Sequence, residues 1–498
     1  MRASKRDIGV GLKALKLSAY SSVKKGDTTK AIFFLDAYAA IAGQFNFNYS
    51  DFDIESLLSV IAKKSIRTSE IISPCSDRWV LYDDFCTTYV LGLQWLEALA
   101  STGNGILYIT TRDIKKENRH KDILCSVTNY SNVTTVVIPQ GNILDRAQQV
   151  YDEIIRFKAS KIILHKFSTQ STIDFVLPIL PNCITKYLIN LSDQTFWSGC
   201  RSIDYCLEFR PFGASVSVQR RGLKPNQLLM VPFYPANDQN SFMGFPQECS
   251  EGKIIVFSGG DYYKTLDENH TYWNLVKKLL QTYPQVVFLF ATKNIPEGDT
   301  EIHHFISNNS FEGRFIYLQF RPDIYQVFQH CDIYMGTCPT SGSLMSQLAA
   351  INSKPILQYY SPGTPDDETE QAICINDTIT ISCHDEKSFF EEADKLISDV
   401  VYRQEQGSRL KAAMMQHEQF NQLVAKTLKS NTSQFPLTEY LIDYDVLDDR
   451  WYYLEKAGYI NTLPFIYSLL GAKRCFLFAP SIFFKKNFSR VISSLFRI

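Results

Sequence analysis

The residue types best suited to chemistry form a short loop of Thr, Ser and Gly at positions 337–343 of this 498-residue chain. Apolar residues 331–336 before the loop predict a buried strand, and residues 344–351 after it predict a helix. The first backbone N–H groups of a helix have no partners within that helix and point at one spot, which suits an anion such as phosphate. We therefore predict a phosphate site in a nucleotide-binding half of a doubly wound α/β protein.

The elements around this loop alternate between apolar strands and helices, as in parallel βαβ units. The same alternation begins at Trp79 and starts again at Lys253. Strands are predicted at 79–82, 105–110, 134–139, 161–165, 185–191, 253–258, 285–291, 315–318, 331–336, 355–358 and 378–382. Helices are predicted at 87–101, 143–157, 172–177, 272–282, 323–330, 344–351 and 386–404, with helical sequence continuing to about 429. We expect an α/β chain with two successive Rossmann-like domains and a cleft between them.

Residues 1–72 show helical periodicity only, with helices predicted at 8–19, 29–44 and 52–64. No chemistry is indicated there, and a packing or partner-binding layer is the simplest interpretation. The predicted domains are this N-terminal helical segment, Rossmann-like domains at 73–246 and 247–430, and a helical return with a basic, aromatic tail at 431–498.

Composition and charge are those of an ordinary globular protein. The formal net charge is −1, so charge gives no reason to expect nucleic acid as a partner. Twelve cysteines are scattered without a C-x-x-C pair, and no secretory apolar region follows the N-terminal residues, so reduced cytoplasmic thiols are expected. No apolar run reaches the roughly 18 residues of a membrane span. We expect a soluble protein or one attached to a membrane surface.

Five short motifs between residues 257 and 356 resemble the GT-B glycosyltransferases, especially bacterial capsule and O-antigen transferases. They are Phe257-Ser258-Gly259-Gly260 with Lys264, residues 313–318, Cys331-Asp332-Ile333-Tyr334, residues 339–347, and Lys354-Pro355-Ile356. The resemblance implies two domains, with the acceptor at 73–246 and a nucleotide-sugar donor at 247–430. It also implies that protein groups bind the diphosphate and that neither a metal nor a cofactor is needed.

The resemblance and the loop chemistry together suggest a set of donor-binding residues. A leaving nucleoside diphosphate gains negative charge, which preorganised cations and N–H groups stabilise. The candidates are Gly259, Gly260, Lys264, Arg321, Thr340, Ser341, Gly342, Ser343, Gln347, Asp367 and Glu370. For Arg321, an ordinary solvated position near a helix start is the alternative. For Lys264 the alternative is an ordinary surface lysine after a turn, and for Asp367 and Glu370 it is a solvated acidic loop before a helix.

One departure from the family concerns two glutamates that many retaining GT-B enzymes place eight residues apart. Here the corresponding positions hold Pro339 or Thr340 and Gln347, none of them acidic. This departure disfavours the retaining group. It leaves Gln347, or the acidic residues Asp366, Asp367 and Glu370, to meet ribose hydroxyls.

Two residues of the first Rossmann-like domain are candidates for a catalytic base. His165 ends the strand 161–165, and a histidine there faces the crevice beside an acceptor hydroxyl. A structural histidine is the alternative. Asp193, which follows the next strand, competes for the same role.

The chain's last segment is basic and aromatic. After Glu455 it contains no acidic residue but seven lysines and arginines among Phe, Leu and Ile. For residues 473–498 this pattern predicts contact with the inner face of a membrane. For residues 445–458, a helix packed on the first domain is preferred.

The function predicted is transfer of a sugar from a nucleotide-diphosphate donor to a glycan or lipid-linked glycan acceptor, in bacterial surface polysaccharide synthesis. The protein is expected in the cytoplasm, or peripherally at the membrane. The alternatives are a sugar-nucleotide epimerase of the same fold and a non-catalytic binding protein on a GT-B frame.

Overall fold

The structure is a computed structural model, and it describes residues 2–45, 48–69, 73–84, 89–112, 126–166, 171–235, 240–292, 301–318, 320–374 and 379–486. The chain divides into two compact units. The first unit comprises Met1–Val231, Asn421–Glu439 and Trp451–Ile498, and the second comprises Pro232–Phe420 and Tyr440–Arg450. Residues 487–498 of the predicted membrane segment lie outside the described residues.

The first unit is built on a parallel seven-stranded sheet in the order β3-β2-β1-β4-β5-β6-β7. Its strands are β1 (Arg78–Asp83), β2 (Gly105–Thr110), β3 (Val133–Val137), β4 (Lys161–His165), β5 (Thr185–Ile189), β6 (Tyr205–Glu208) and β7 (Leu228–Met230). The helices between them are α4 (Tyr89–Ala100), α5 (Ile143–Arg156) and α6 (Pro211–Gln219). In this register Asp83 of β1 lies beside His165 of β4, so both residues reach the carboxyl edge of the sheet.

The N-terminal helices belong to this first unit. They are α1 (Lys5–Lys24), α2 (Thr28–Phe45) and α3 (Phe52–Ser65), and their apolar residues share one hydrophobic core with the first sheet. Helix α1 begins at a capping box in which Ser4 and Asp7 satisfy each other's backbone N–H groups. The N-terminal helical segment is therefore continuous with the core of the first sheet.

The second unit contains a parallel six-stranded sheet in the order β10-β9-β8-β11-β12-β13. Its strands are β8 (Ile254–Gly259), β9 (Val286–Ala291), β10 (Phe315–Leu318), β11 (Ile333–Met335), β12 (Ile356–Tyr359) and β13 (Ser382–Cys383). Its helices are α7 (Thr271–Thr282), α8 (Glu301–Asn308), α9 (Ile324–His330), α10 (Ser343–Ile351), α11 (Glu368–Gln371), α12 (Glu386–Ser398) and α13 (Val400–Ala413). The order makes β11 the neighbour of both β8 and β12. The loops that follow these three strands therefore leave the same edge of the sheet.

The helix predicted at 386–404 is two helices in the structure. Asp399 has an extended backbone and ends α12, while its side chain accepts hydrogen bonds from Val401 N–H and Tyr402 N–H at the start of α13. An aspartate that caps the next helix stops the preceding one, which sequence periodicity alone does not reveal.

The described residues that follow contain the helices α14 (His417–Ser430), α15 (Tyr444–Ala457) and α16 (Thr462–Phe478), and a short helix at Pro480–Lys486. Among the residues that the structure describes, no single helix is both long and apolar enough to cross a membrane. Helix α16 and a short helix at Pro480–Lys486 reach the required length and hydropathy only together, and the two are bent by 118°.

Candidate functional site

The end of β8 makes a close turn for which glycine is required. A side chain at Gly259 would place its Cβ 2.8 Å from the carbonyl oxygen of Ala291 on the neighbouring strand. Gly260 has a φ of 138°, which favours glycine, and its N–H donates to the same carbonyl at 3.0 Å. The turn leads directly into the short helix that carries Lys264.

Lys264 meets the loop 337–343, as the sequence predicts for two parts of one site. The N–H of Thr340 donates to the carbonyl oxygen of Lys264 at 3.3 Å. A Cβ built on Gly342 would lie 3.8 Å from Lys264 Nζ, so the ammonium group approaches the backbone of the loop closely. A half-buried cation therefore stands beside the loop.

The loop presents the beginning of helix α10 beside this cation. Helix α10 begins at Ser343, with Gly342 at its N-cap, and Thr337 Oγ1 donates to the carbonyl oxygen of Thr340 at 2.7 Å. The first N–H groups of a helix carry the positive end of its dipole. Lys264 and the start of α10 thus form a site of positive potential.

Several buried polar atoms between β11 and the loop after β12 lack hydrogen-bond partners in the part of the chain that the structure describes. They include Ser341 Oγ, Gln347 Oε1, Gln358 Oε1 and Ser361 Oγ. A buried polar group without a partner costs about 1–3 kcal/mol, so a group of them at one sheet edge calls for a missing partner such as a ligand or water. These atoms are the strongest indication in the second unit of a polar ligand.

The side-chain amide nitrogens of Gln347 and Gln358 donate hydrogen bonds to backbone carbonyl oxygens, and this fixes the direction of their side-chain oxygens. Gln347 Nε2 donates to the carbonyl oxygens of Ala372 at 2.8 Å and Phe233 at 3.3 Å. Gln358 Nε2 donates to the carbonyl oxygens of Tyr359 and Thr337. An amide oxygen fixed in this way accepts a hydrogen bond from a hydroxyl group, as a ribose would supply.

Of the acidic candidates after β12, Glu370 has a structural role. Its carboxylate accepts from Ile381 N–H at 2.6 Å, Ser382 N–H at 2.7 Å and Ser382 Oγ at 2.9 Å. These bonds hold β13 and occupy both oxygens, so they favour a structural role for Glu370 over the predicted donor contact. Asp367 is half-buried and accepts from Gln371 Nε2 at 2.7 Å.

The segment Tyr440–Arg450 packs on the loop that follows β12, within the second unit. Tyr440 OH donates to Asp367 Oδ2 at 3.0 Å, and Arg450 donates to the carbonyl oxygen of Pro362. Gly363 has a φ of 87°, and a Cβ there would lie 3.1 Å from the carbonyl oxygen of Asp443. The segment therefore fixes the position of the loop that follows β12.

Arg321 lies in a buried ion pair instead of pointing to the loop 337–343. Its Nε and Nη2 donate to the two carboxylate oxygens of Asp323 at 2.7 and 2.6 Å, and Nη1 donates to the carbonyl oxygen of Gly244. Burial raises the pKa of the Asp323 carboxyl, but the bonds from Arg321 and from Met243 N–H outweigh burial and lower that pKa. These contacts favour a buried structural role for Arg321, which differs from the predicted donor contact and from the solvated position given as its alternative.

In the first unit, His165 and Asp193 are buried, and each contacts a charged side chain. His165 is fully buried, with Nδ1 2.8 Å from Asp83 Oδ1. Asp193 is 3% exposed and accepts from Arg210 Nε at 2.6 Å. A general base must reach its substrate, so these contacts favour structural roles for both residues over the predicted catalytic ones.

Three residues near the candidate site were not anticipated from the sequence. Gln358 and Ser361 are polar residues in and just after an apolar strand, and a polar residue at such a position is a usable signal. Tyr440 lies far from the loop in sequence, so only the folded chain brings the two together.

No protein-family model matches this sequence, and none of the curated proteins matches it. Solved structures are similar in fold. HepE of Anabaena in complex with UDP-glucose has a TM-score of 0.52 and 15% identity, over 71% of this chain and 99% of its own. A Thermobaculum terrenum O-GlcNAc transferase mutant has a TM-score of 0.51 and 13% identity, over 90% and 83%. A Rickettsia africae glycosyltransferase has a TM-score of 0.51 and 10% identity, over 71% and 98%.

At these identities the likeness shows the fold. The chain has the GT-B fold, with two parallel sheets and N-terminal helices, and this prediction is confirmed.

The Arg321 contacts generate a prediction about stability. Arg321→Ala leaves Asp323 buried without its cation, so we expect a loss of about 3–5 kcal/mol of folding free energy. The pKa of Asp323 is lower in the folded state than in the unfolded state, where it is near 4. The stabilisation from the ion pair is therefore fully present at pH values above the unfolded-state pKa. It is lost as the pH falls through the folded-state pKa. Thermal unfolding at pH 7 measures the loss.

The double variant Arg321→Ala, Asp323→Ala is expected to lose less stability than the sum of the two single variants, because it leaves no unpaired charge. Unchanged melting of Arg321→Ala, combined with weakened nucleotide binding, would instead restore Arg321 to the donor site.

Proposed function

We propose that the chain is a glycosyltransferase that moves a sugar from a nucleotide-diphosphate donor to an acceptor hydroxyl. One observation carries the proposal. Lys264 and the start of α10 meet at the edge of the second sheet, beside buried polar atoms that have no hydrogen-bond partner among the described residues. In open α/β sheets, ligands bind outside the carboxyl ends of the strands.

The positive groups suit the charge that develops during transfer. When the bond between the anomeric carbon and the diphosphate breaks, the electron pair stays on the leaving phosphate oxygen. The ammonium of Lys264 and the N–H groups at the start of α10 stabilise that charge without reorganising. Lys264 and the N–H groups at the start of α10 thus bind the diphosphate.

The nucleoside is proposed to lie beside the glutamines. The fixed oxygen of Gln347 accepts from a ribose hydroxyl, and Asp367, held by Tyr440, is the carboxylate candidate for the same diol. UDP-sugars are the first donors to test, since the Anabaena protein of similar fold was solved with UDP and with UDP-glucose. Hexose transfer to a glycan or lipid-linked glycan, in bacterial surface polysaccharide synthesis in the cytoplasm, is the proposed setting.

A non-catalytic nucleotide-sugar-binding protein is the second candidate. It is favoured by the absence of acidic residues at Pro339, Thr340 and Gln347, and by the buried contacts of His165 with Asp83 and of Asp193 with Arg210. Such a protein binds UDP with the same residues but releases no sugar from UDP-sugars in the presence of glycan acceptors. Release of UDP, measured with and without acceptor, separates the two candidates.

We predict that Lys264→Ala weakens UDP binding by roughly ten- to a hundredfold, since loss of one charge-assisted contact costs about 1.5–3 kcal/mol. Isothermal titration calorimetry with UDP measures the change. Lys277→Ala is the matched control, because Lys277 is an exposed lysine of α7 in the same unit. Wild-type affinity in Lys264→Ala would refute the proposed site. So would the absence of any thermal shift with UDP-, GDP-, CMP- and dTDP-sugars.

Ser341→Ala separates binding from stability. The hydroxyl of Ser341 is buried without a partner in the described chain, so its removal is expected to leave the melting temperature unchanged or slightly higher. UDP affinity should fall about three- to tenfold, the equivalent of one neutral hydrogen bond. Differential scanning fluorimetry and calorimetric titration give the two numbers.

Ser382→Ala is the matched control for Ser341→Ala. The hydroxyl of Ser382 donates to Glu370 Oε2 at 2.9 Å, so its loss should lower the melting temperature and leave UDP affinity unchanged. If both serine variants lose stability and keep their affinity, Ser341 is a structural residue and does not bind the donor.

A further inference from the structure

The last described residues form a bent pair of helices with two apolar faces. Helix α16 is broken at Gly471, where φ is 71° and ψ is 164°, and a short helix at Pro480–Lys486 follows. We refer to Lys473, Phe476, Leu477, Phe484 and Lys486 as the tail face.

The inner side of this helix pair is fixed to the first unit. Cys475, Ala479 and Ile482 are fully buried in the core that the N-terminal helices share. Lys485 Nζ lies 2.6 Å from Asp7 Oδ2, and the Arg474 guanidinium lies 4.9 Å from the centre of the Phe34 ring. The pair therefore presents a defined outer surface.

That outer surface is apolar. Phe476, Leu477 and Phe484 are 53%, 59% and 56% exposed. The rings of Phe476 and Phe484 are 6.3 Å apart, and each lies within 5.5 Å of the half-buried ring of Phe483. A surface helix normally turns polar residues outward once its inner side is buried, so an apolar cluster here marks an interaction surface.

The positive charge around this apolar cluster indicates an anionic partner. Residues 456–498 contain seven lysines and arginines and no acidic residue, whereas the whole chain has a net charge of −1. Lys473 and Lys486 lie beside the aromatic residues in sequence, whereas Arg474 and Lys485 contact Phe34 and Asp7 of the first unit. Aromatic and aliphatic side chains bordered by cations fit the boundary between acyl chains and anionic headgroups.

We propose that the tail face docks the protein on an anionic lipid surface, with the helices lying in the plane of the interface. A second copy of the chain is the less suitable partner, because two such faces would bring like charges together. The inference does not rest on the donor site, since none of its residues belongs to that site.

The full-length protein is tested by co-sedimentation with phosphatidylcholine vesicles and with the same vesicles containing phosphatidylglycerol. We expect binding to the anionic vesicles, weakened by salt because exposed charges are screened. Replacing Phe476, Leu477 and Phe484 together by Ser should reduce the partition coefficient at least tenfold, because the apolar side chains that would enter the acyl-chain boundary are lost. Lys473→Glu with Lys486→Glu should abolish the preference for anionic vesicles.

The matched control replaces Val400 and Val401 by Ser, because these side chains are 51% and 58% exposed in the second unit. It should bind vesicles as the wild type does. All variants should keep the wild-type melting temperature and UDP affinity, so a failure here is distinguishable from a failure of the proposed function. Equal binding to neutral vesicles, no binding to any vesicle, or a dimer that the triple variant abolishes would overturn the inference.

Discussion

The pairing of β8 with β11 in the second sheet is the constraint on which the candidate site depends. Two parallel strands that are neighbours must release their loops at the same edge. The loop after β8 carries Lys264, and the loop after β11 leads into α10. Without this pairing, a glycine turn and a small polar loop distant in the sequence would have no reason to form one positive site.

The surroundings of that site are held by structural contacts. Glu370 holds β13, Arg321 and Asp323 form a buried pair, and the segment Tyr440–Arg450 fixes the loop after β12. Against these hydrogen-bonded groups, several buried polar atoms have no hydrogen-bond partner among the residues that the structure describes. Ser341 and Gln347, both in the predicted donor set, are among them.

The sequence was sufficient for the α/β alternation and for most strands, because buried parallel strands are short apolar runs separated by periodic helices. The GT-B fold was expected from the resemblance of five motifs between residues 257 and 356. The sequence was also sufficient to predict the meeting of Lys264 with the loop 337–343. It could not separate a binding charge from a structural one, since Arg321 and Glu370 look alike in either role until their partners are known. The same holds for His165, whose neighbour Asp83 is distant in sequence but adjacent in the sheet.

The proposed donor site lies at the edge of the second sheet, where the loops after β8 and β11 meet. Hydrogen–deuterium exchange of the whole chain with and without UDP tests whether a nucleoside diphosphate binds there. We expect slower exchange in peptides covering residues 259–266 and 337–347, and unchanged exchange in peptides from β1 to β7. Protection confined to the first sheet, or no protection anywhere at saturating UDP, would contradict the proposed donor site.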